Sequence, residues 1–205
     1  MYRLGNIEEE VQAGYNIIRK YHKTVTVFGS ARTPETDPYY EKARETGKRL
    51  AQAGYGVITG GGHGIMEAAN RGAFEAKGDS LGFNIQLPHE QTLNPYTTES
   101  LAFSHFAPRK IVMTLYADAY VYFPGGFGTM DELTEILTLV QTGKTNKAPI
   151  ILFGKEFWQP FDDLVRRDLL LHKQIAEADP GLYAITDSID ELVNIVKANK
   201  TYCDH

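Results

Sequence analysis

The chain has 205 residues, of which 42% are hydrophobic and 23% charged, and 21 Lys and Arg against 26 Asp and Glu give a formal net charge of −5. These figures are typical of one globular domain, because chains divide mainly beyond about 250 residues, and they exclude a largely disordered protein. The acidic balance argues against a protein that coats nucleic acid and favours a small molecule as the partner.

A single cysteine, Cys203, excludes a disulfide within the chain and a zinc site built from several thiolates. The first 20 residues contain three consecutive glutamates at 8–10 and lack the apolar segment of a secretory signal. No apolar run approaches the roughly 18 residues that a membrane-spanning helix needs. We therefore expect a cytoplasmic protein that contacts no membrane.

From Thr24 onward, short apolar runs alternate with longer stretches of helical spacing, which is typical of β-α-β units. The predicted strands are 25–28, 55–59, 81–85, 101–103, 119–123, 149–153 and 182–185. Several are apolar throughout, as strands buried on both faces of a parallel sheet are. The predicted helices are 38–53, 64–77, 108–117, 129–142, 158–171 and 188–199, with a weaker helix over 7–21.

Capping residues support two of these helices. Asp37 followed by Pro38 is the pattern of an N-cap and a first helical position, and Gly54 follows the same helix as a stop signal. Ser188, with Glu191 three positions later, has the pattern of a capping box.

These elements predict an α/β fold, a Rossmann-like doubly wound parallel sheet of about seven strands flanked by helices. We predict one domain over residues 1–205. Within it, an N-terminal helical extension covers 1–22, a motif-bearing core covers 24–153, and C-terminal helices with the last strand cover 154–205.

Three loops that follow predicted strands are rich in glycine, at 28–32, 59–64 and 123–129. Ligands of doubly wound sheets bind at the carboxyl ends of the strands, where these loops lie. Glycine lets a ligand approach the backbone, and the helix after each loop points free N–H groups and its positive dipole end at that ligand. One such loop can be a simple tight turn, but three at one edge predict an anion site, most often for phosphate.

Two common nucleotide motifs do not fit the spacing. The dinucleotide fingerprint requires glycine at i, i+2 and i+5, but the third position is isoleucine in the second loop and aspartate in the third. The triplet 143–145 has the Gly-Lys-Thr ending of a P-loop, but Thr138 occupies the upstream glycine position and the triplet follows a predicted helix. We therefore predict neither of these cofactor sites.

Glu132 lies about one helical turn, roughly 5 Å, beyond the third glycine loop, within reach of the ribose of a nucleotide whose phosphate binds there. Complementing the helix dipole is the simpler explanation for its neighbours Asp131 and Glu135. Arg109 and Lys110 open the preceding helix, where cations oppose the dipole, and this favours a functional use over two ordinary exposed basic residues.

These residues carry a family resemblance. Residues 124–132 match the motif PGGxGTxxE, and Arg109-Lys110 match its upstream RK pair. With 28–30 and 60–67, they make the chain similar over about residues 24–153 to the LOG family, the cytokinin riboside 5′-monophosphate phosphoribohydrolases once labelled lysine decarboxylases. The resemblance implies hydrolysis of the N-glycosidic bond of a nucleoside 5′-monophosphate, AMP or a cytokinin-type N6-modified AMP, to free base and ribose 5-phosphate.

The resemblance also implies roles for single residues. Glu132 would stabilise the oxocarbenium-like sugar, and Arg109 would contact the base or sugar and stabilise the departing base. The backbone N–H groups of the third loop would hold the 5′-phosphate together with the Thr129 hydroxyl. The implied substrate-binding residues are Gly29, Ser30, Gly61, Gly62, Gly64, Glu67, Lys110, Gly125, Gly126, Gly128 and Thr129. The scheme needs no metal or cofactor, and the histidines show no metal-ligand spacing at 22, 63, 89, 105, 172 and 205.

The chain departs from shorter plant-like members ahead of the RK pair, where 104–108 replaces their Met-His pair, so the identity of the base stays open. Its longer termini are similar to a bacterial branch, which implies a homodimer or larger homo-oligomer. The alternative function is a nucleotide-binding or sensing module without turnover. A pure binder does not need Glu132 and Arg109 together, so we prefer the enzyme. Lysine decarboxylation is not favoured, because no Schiff-base lysine with a carboxylate for a pyridine nitrogen is recognisable.

Overall fold

The computed structural model describes residues 6–86, 92–115, 117–145 and 147–199. The predictions made for Cys203, His89 and His205 lie outside these ranges. Seven strands are present: β1 Thr24–Phe28, β2 Gly56–Thr59, β3 Ser80–Ile85, β4 Glu99–Phe103, β5 Ala119–Tyr122, β6 Ile150–Phe153 and β7 Tyr183–Thr186. They pair in parallel in the order β4-β3-β2-β1-β5-β6-β7, which confirms the predicted doubly wound α/β sheet.

The helices alternate with these strands: α1 Ile7–Ile18, α2 Pro38–Gln52, α3 Ile65–Glu75, α4 Phe106–Leu115, α5 Phe127–Gln141, α6 Lys155–Asp163 and α7 Ile189–Ala198. A π-helical segment, Leu164–Leu170, continues α6, and a 3₁₀ turn, Asp179–Gly181, precedes β7. No helix in the described part of the chain is long and apolar enough to cross a bilayer.

Helices α4, α5 and α6 begin two or three residues earlier than predicted, and the first two of them line the candidate site. Helix α4 starts at Phe106, two residues before Pro108, because a first-turn N–H has no helical partner and proline is accepted there. Helix α5 starts at Phe127, so that Gly128 lies inside its first turn.

The predicted caps of α2 are confirmed. Asp37 accepts a hydrogen bond from the Tyr39 N–H at 2.8 Å, with Pro38 at the first helical position. Gly54 adopts φ +85°, a left-handed conformation that ends the helix without the strain of a side chain.

The predicted capping box of α7 is only half formed. The Ser188 hydroxyl accepts the Glu191 N–H at 3.3 Å, as predicted. The return bond is different, because the Glu191 carboxylate accepts from the Thr186 hydroxyl and the Ser188 N–H donates to Thr186 Oγ1 at 3.0 Å. A threonine at the end of β7 therefore replaces the glutamate in the second half of the box.

The core consists of two apolar layers, one on each face of the sheet. Helices α2, α3 and α7 cover one face, and α1, α4, α5 and α6 cover the other. Strand β1 serves both layers, since Val25 and Val27 belong to the first and Phe28 to the second. The chain runs outward from β1 through β2 to β4 in one direction and from β5 to β7 in the other. The β1–β5 boundary is therefore the switch point, where the loops diverge and leave a crevice.

Candidate active site

A cleft of about 590 Å³ opens at the switch point, a volume typical of small-molecule sites. Its walls are the turn after β1 and the beginnings of α4 and α5, with single residues from α3 and the end of β3. Eight residues predicted for the site line this cleft: Gly29, Ser30, Arg109, Lys110, Gly126, Gly128, Thr129 and Glu132.

Arg109 and Glu132 form a buried ion pair in the wall of the cleft. Their side chains are 8% and 16% exposed, and Arg109 Nη1 donates to Glu132 Oε1 at 3.2 Å. Arg109 Nε donates to the Phe83 carbonyl of β3 at 2.7 Å. A Cβ at Gly60 would collide with Arg109 Nη2, so this glycine makes room for the guanidinium. The arginine is thus held by a strand, by a loop and by the carboxylate.

Burial shifts both members of the pair toward their neutral forms. Loss of hydration raises the pKa of Glu132, and the nearby charges of Arg109 and Lys110 oppose this rise. Loss of hydration likewise lowers the pKa of Arg109, and attraction to Glu132 opposes that change. The ionised carboxylate therefore depends on its cationic partners.

Lys110 ties α4 to α5. Its Nζ lies 2.6 Å from Asp131 Oδ2 and 3.2 Å from Glu135 Oε2. Although partial burial acts to lower it, the pKa of Lys110 is raised by the hydrogen bonds to these two carboxylates. The expectation that Asp131 and Glu135 complement the helix dipole is wrong, since α5 begins at Phe127 and both acids lie beyond its first turn.

The first turn of α5 presents open backbone to the cleft. Gly126 is the N-cap and makes no side-chain capping bond, and the first helical bond runs from the Met130 N–H to the Gly126 carbonyl at 3.0 Å. The three N–H groups between these residues therefore have no partner within the helix. A Cβ at Gly126 or Gly128 would meet no atom within 4 Å, so packing inside the chain does not require glycine there. Open space above free N–H groups is what an anion needs in order to bind.

Gly125 differs from its two neighbours. A Cβ at this position would collide with Thr129 Oγ1, and Gly125 does not line the cleft. Its role in the structure is to let the buried Thr129 side chain pack beneath the loop.

The turn after β1 is held on three sides through Ser30. Its N–H donates to the Pro124 carbonyl at 3.0 Å, and its carbonyl accepts the Ile65 N–H at 3.0 Å. Its hydroxyl accepts the Arg32 N–H, also at 3.0 Å. Gly29 is needed because a Cβ there would lie 2.5 Å from the Ile65 side chain. These contacts join the turn to the loop before α5 and to the start of α3.

The second glycine loop lies outside the cleft lining. Asn94 binds this loop through its N–H to the Gly61 carbonyl at 2.8 Å and its Nδ2 to the Gly62 carbonyl at 3.0 Å. Gly61 and Gly64 have φ values of +70° and +65°, and a Cβ at Gly64 would collide with the Ser30 carbonyl. The packing of the loop itself therefore accounts for Gly61 and Gly64, which were predicted to bind substrate. Of residues 60–67, only Met66 lines the cleft.

Glu67 also lies outside the cleft lining, in a hydrogen-bond network between α2 and α3. Its Oε1 accepts from the Tyr40 hydroxyl at 3.0 Å, and its Oε2 lies 2.9 Å from His63 Nδ1. His63 Nε2 is in turn 3.0 Å from the Thr92 hydroxyl. In the described ranges, no three His, Cys, Asp or Glu side chains come together to hold a metal ion.

Several residues of the cleft were not predicted from the sequence. Phe106 precedes Arg109 by one helical turn, a spacing that places the two on one face and could have indicated it. Phe127 occupies the first variable position of the motif and is almost fully exposed. Arg32 belongs to the first glycine loop, and its guanidinium, a group that binds phosphate, could have indicated a place in the site. The remaining unassigned lining residues are Ala31, Met66, Ile85 and Asp131.

Comparison with known families matches residues 66–196 to the family described as "Possible lysine decarboxylase". The cytokinin riboside 5′-monophosphate phosphoribohydrolase LOG of Oryza sativa subsp. japonica is 32% identical over 146 residues, which are 69% of this chain and 59% of the rice protein. The phosphoribohydrolase of the same name from Mycobacterium marinum is 31% identical over 143 residues, 69% of this chain and 74% of that protein. The match thus spans about three fifths of the rice relative.

Solved structures share the fold. A crystal structure from a structural genomics consortium is 28% identical, covers 86% of this chain and 99% of its own, and superposes with a TM-score of 0.64. The molybdenum cofactor carrier protein of Chlamydomonas reinhardtii is 24% identical, with coverages of 88% and 99% and a TM-score of 0.62. The second likeness is one of fold alone.

Proposed function

This chain belongs to the LOG family, and we propose that it hydrolyses the N-glycosidic bond of a nucleoside 5′-monophosphate, AMP or an N6-modified AMP, to free base and ribose 5-phosphate. The observation that carries the proposal is the buried Arg109–Glu132 pair in the wall of a cleft that also contains the open N-terminus of α5. The names of the relatives support the same reaction.

We place the 5′-phosphate at the free N–H groups of the first turn of α5. Glu132 is five positions after Phe127, which corresponds to a rise of about 7.5 Å along the helix. A ribose that extends from the phosphate along this turn brings its anomeric carbon toward the Glu132 carboxylate. The base then lies toward the α4 wall, where Phe106 and Ile85 offer apolar surface.

In the reaction, the bond from C1′ to the base nitrogen breaks, and its electron pair leaves with the base, which takes up a proton. The sugar becomes an oxocarbenium-like cation, and the ionised Glu132 stabilises that charge in a poorly hydrated site. Water then bonds to C1′ and releases a proton, which gives ribose 5-phosphate.

The contacts of Arg109 favour a positioning role over direct contact with the base. Two of its nitrogens already donate to Phe83 and Glu132, and the third lies against Gly60. Its charge keeps Glu132 ionised although burial raises the pKa of that carboxyl. The guanidinium therefore acts through Glu132.

The test is to incubate the protein with AMP, N6-isopentenyl-AMP and adenosine and to follow base and ribose 5-phosphate by chromatography. We expect cleavage of at least one monophosphate and far slower cleavage of adenosine, which lacks the phosphate. Binding of AMP without release of any base would contradict the proposal and support the alternative, a nucleotide-binding or sensing module.

A further inference from the structure

The charged side chains that line the cleft do not balance. The lining contains three cations, Arg32, Arg109 and Lys110, and two carboxylates, Asp131 and Glu132. Arg109 pairs with Glu132, and Lys110 pairs with Asp131. Lys110 also pairs with Glu135, which lies outside the lining. Across the described ranges, no carboxylate lies within ion-pair distance of the Arg32 guanidinium, so Arg32 is the cation of the lining whose charge no carboxylate compensates.

The backbone of Arg32 is fixed while its side chain is exposed. Its N–H donates to the Ser30 hydroxyl at 3.0 Å, and Ser30 itself is hydrogen-bonded to Pro124, just ahead of the loop that leads into α5. The carbonyl carbon of Ala31 would lie 2.9 Å from a Cβ at Gly64, so the turn packs closely on the start of α3. These contacts hold Arg32 in the wall of the cleft and leave its guanidinium in solvent.

A 5′-monophosphate brings more charge than the α5 N-terminus neutralises. Near pH 7 a phosphate monoester carries about −1.5 to −2, whereas a helix N-terminus is equivalent to about +0.5. Lys110 and Arg109 are engaged by carboxylates, so neither supplies the missing charge without breaking an ion pair. A planar guanidinium that binds two phosphate oxygens at once fits this need.

We propose that Arg32 binds the 5′-phosphate of the substrate from the turn after β1 and confers the preference for phosphorylated nucleosides. The proposal rests on the function proposed above, since it assumes that the cleft takes a nucleoside monophosphate. It assigns the phosphate to two partners, the neutral N–H groups of α5 and the charged fork of the turn after β1.

The test compares Arg32→Ala and Arg32→Lys with the control Arg167→Ala, which removes an exposed arginine from the π-helical segment outside the cleft. We expect Arg32→Ala to lower kcat/KM for AMP about 10- to 100-fold, the value of a charged hydrogen-bonded contact, and to leave adenosine cleavage within about twofold. Arg32→Lys keeps the positive charge but cannot bind two phosphate oxygens through a planar guanidinium, so its kcat/KM for AMP should lie between those of wild type and Arg32→Ala. Arg167→Ala should match wild type.

Binding is measured in parallel by calorimetry with AMP, adenosine and ribose 5-phosphate, with circular dichroism as the check on folding. Weaker binding of AMP and ribose 5-phosphate to Arg32→Ala, with adenosine unchanged, supports the proposal even if the wild type cleaves nothing, in which case only the proposed function fails. Equal AMP affinity in Arg32→Ala and wild type, or an equal loss for AMP and adenosine, overturns the role of Arg32 and leaves the proposed function intact. A wild type that binds no phosphorylated ligand contradicts both.

Discussion

The loop before α5 and the loop before α3 both follow buried parallel strands, both reach the same edge of the sheet and both are rich in glycine, but their polar groups have different partners. In the loop before α3, the carbonyls of Gly61 and Gly62 accept hydrogen bonds from Asn94. In the loop before α5, the space above Gly126 and Gly128 is open and the first N–H groups of the helix have no partner in it.

This difference separates two uses of glycine that look alike in a sequence. Gly61 and Gly64 are required by positive φ values and by close contacts with their own chain. Gly126 and Gly128 meet neither requirement, which points to a ligand as the reason for glycine there. The distribution of hydrogen bonds, rather than the number of glycines, indicates which loop is free to bind a ligand.

The largest effect should come from a substitution on α5, the helix that follows the open glycine loop. We expect Glu132→Gln to lower kcat for AMP about 100- to 1000-fold, because the amide cannot stabilise a cationic sugar as a carboxylate does, while AMP binding stays close to wild type. Glu135→Gln is the matched control, since Glu135 lies on the same helix and pairs with Lys110. Steady-state kinetics and calorimetry measure the two quantities, and full activity in Glu132→Gln would exclude the role assigned to it.

Removing the contacts that hold the loop before α3 should lower the stability of the protein without changing its catalytic rate. Asn94→Ala removes the donor to the Gly62 carbonyl and to Asn70 Oδ1 in a buried site, so we expect a loss of about 2–3 kcal/mol in the free energy of unfolding. Urea unfolding measures this loss, and kcat per folded molecule should stay near wild type. A stable Asn94→Ala variant that fails to cleave AMP would place the loop before α3 in the catalytic machinery.

Two single glycine substitutions should give opposite results. Gly61→Ala puts a side chain at φ +70° and against Leu93, so we expect a loss of about 1–2 kcal/mol in stability with little change in KM. Gly126 has φ −94°, and a Cβ there would meet no other atom. The stability of Gly126→Ala should therefore stay within about 0.5 kcal/mol of wild type while its KM for AMP rises. Thermal unfolding and steady-state kinetics measure the stability and the KM of both variants. The same changes in stability and KM in both variants would contradict the assignment of different roles to the two loops.

The pH dependence should give the smallest effect. Burial raises the pKa of Glu132, so kcat/KM should fall, as the pH is lowered, at a higher pH than for an ordinary carboxyl. Replacing Lys110 by methionine removes one of the charges that oppose this rise and should move the acidic limb further toward neutral pH. A pH–rate profile with an unmoved acidic limb in that variant would show that Lys110 does not act on Glu132.

Much of the fold could be predicted from the sequence, because strands buried on both faces and capped helices leave local signals. Asp37 and Gly54 marked the ends of α2, and the motif around Glu132 with Arg109 marked two walls of the cleft. The partner of Arg109 Nε, the Phe83 carbonyl, could not be predicted, because it belongs to a strand 26 positions away. Which glycine loop would be open depends likewise on Asn94, a distant residue in a polar stretch.

The pairing of β1 with β5 has a consequence for how the protein folds. Thr24 and Asp118, 94 positions apart, are joined by a hydrogen bond at the start of this pairing, whereas β1 meets β2 after a much shorter connection. The walls of the cleft come from both sides of that long connection, so the cleft forms only after this non-local pairing, and pairings of this kind are typically slow. A nucleotide added during refolding should therefore leave the folding rate unchanged and slow unfolding instead. On the ribosome, the site cannot exist until α5 has been synthesised.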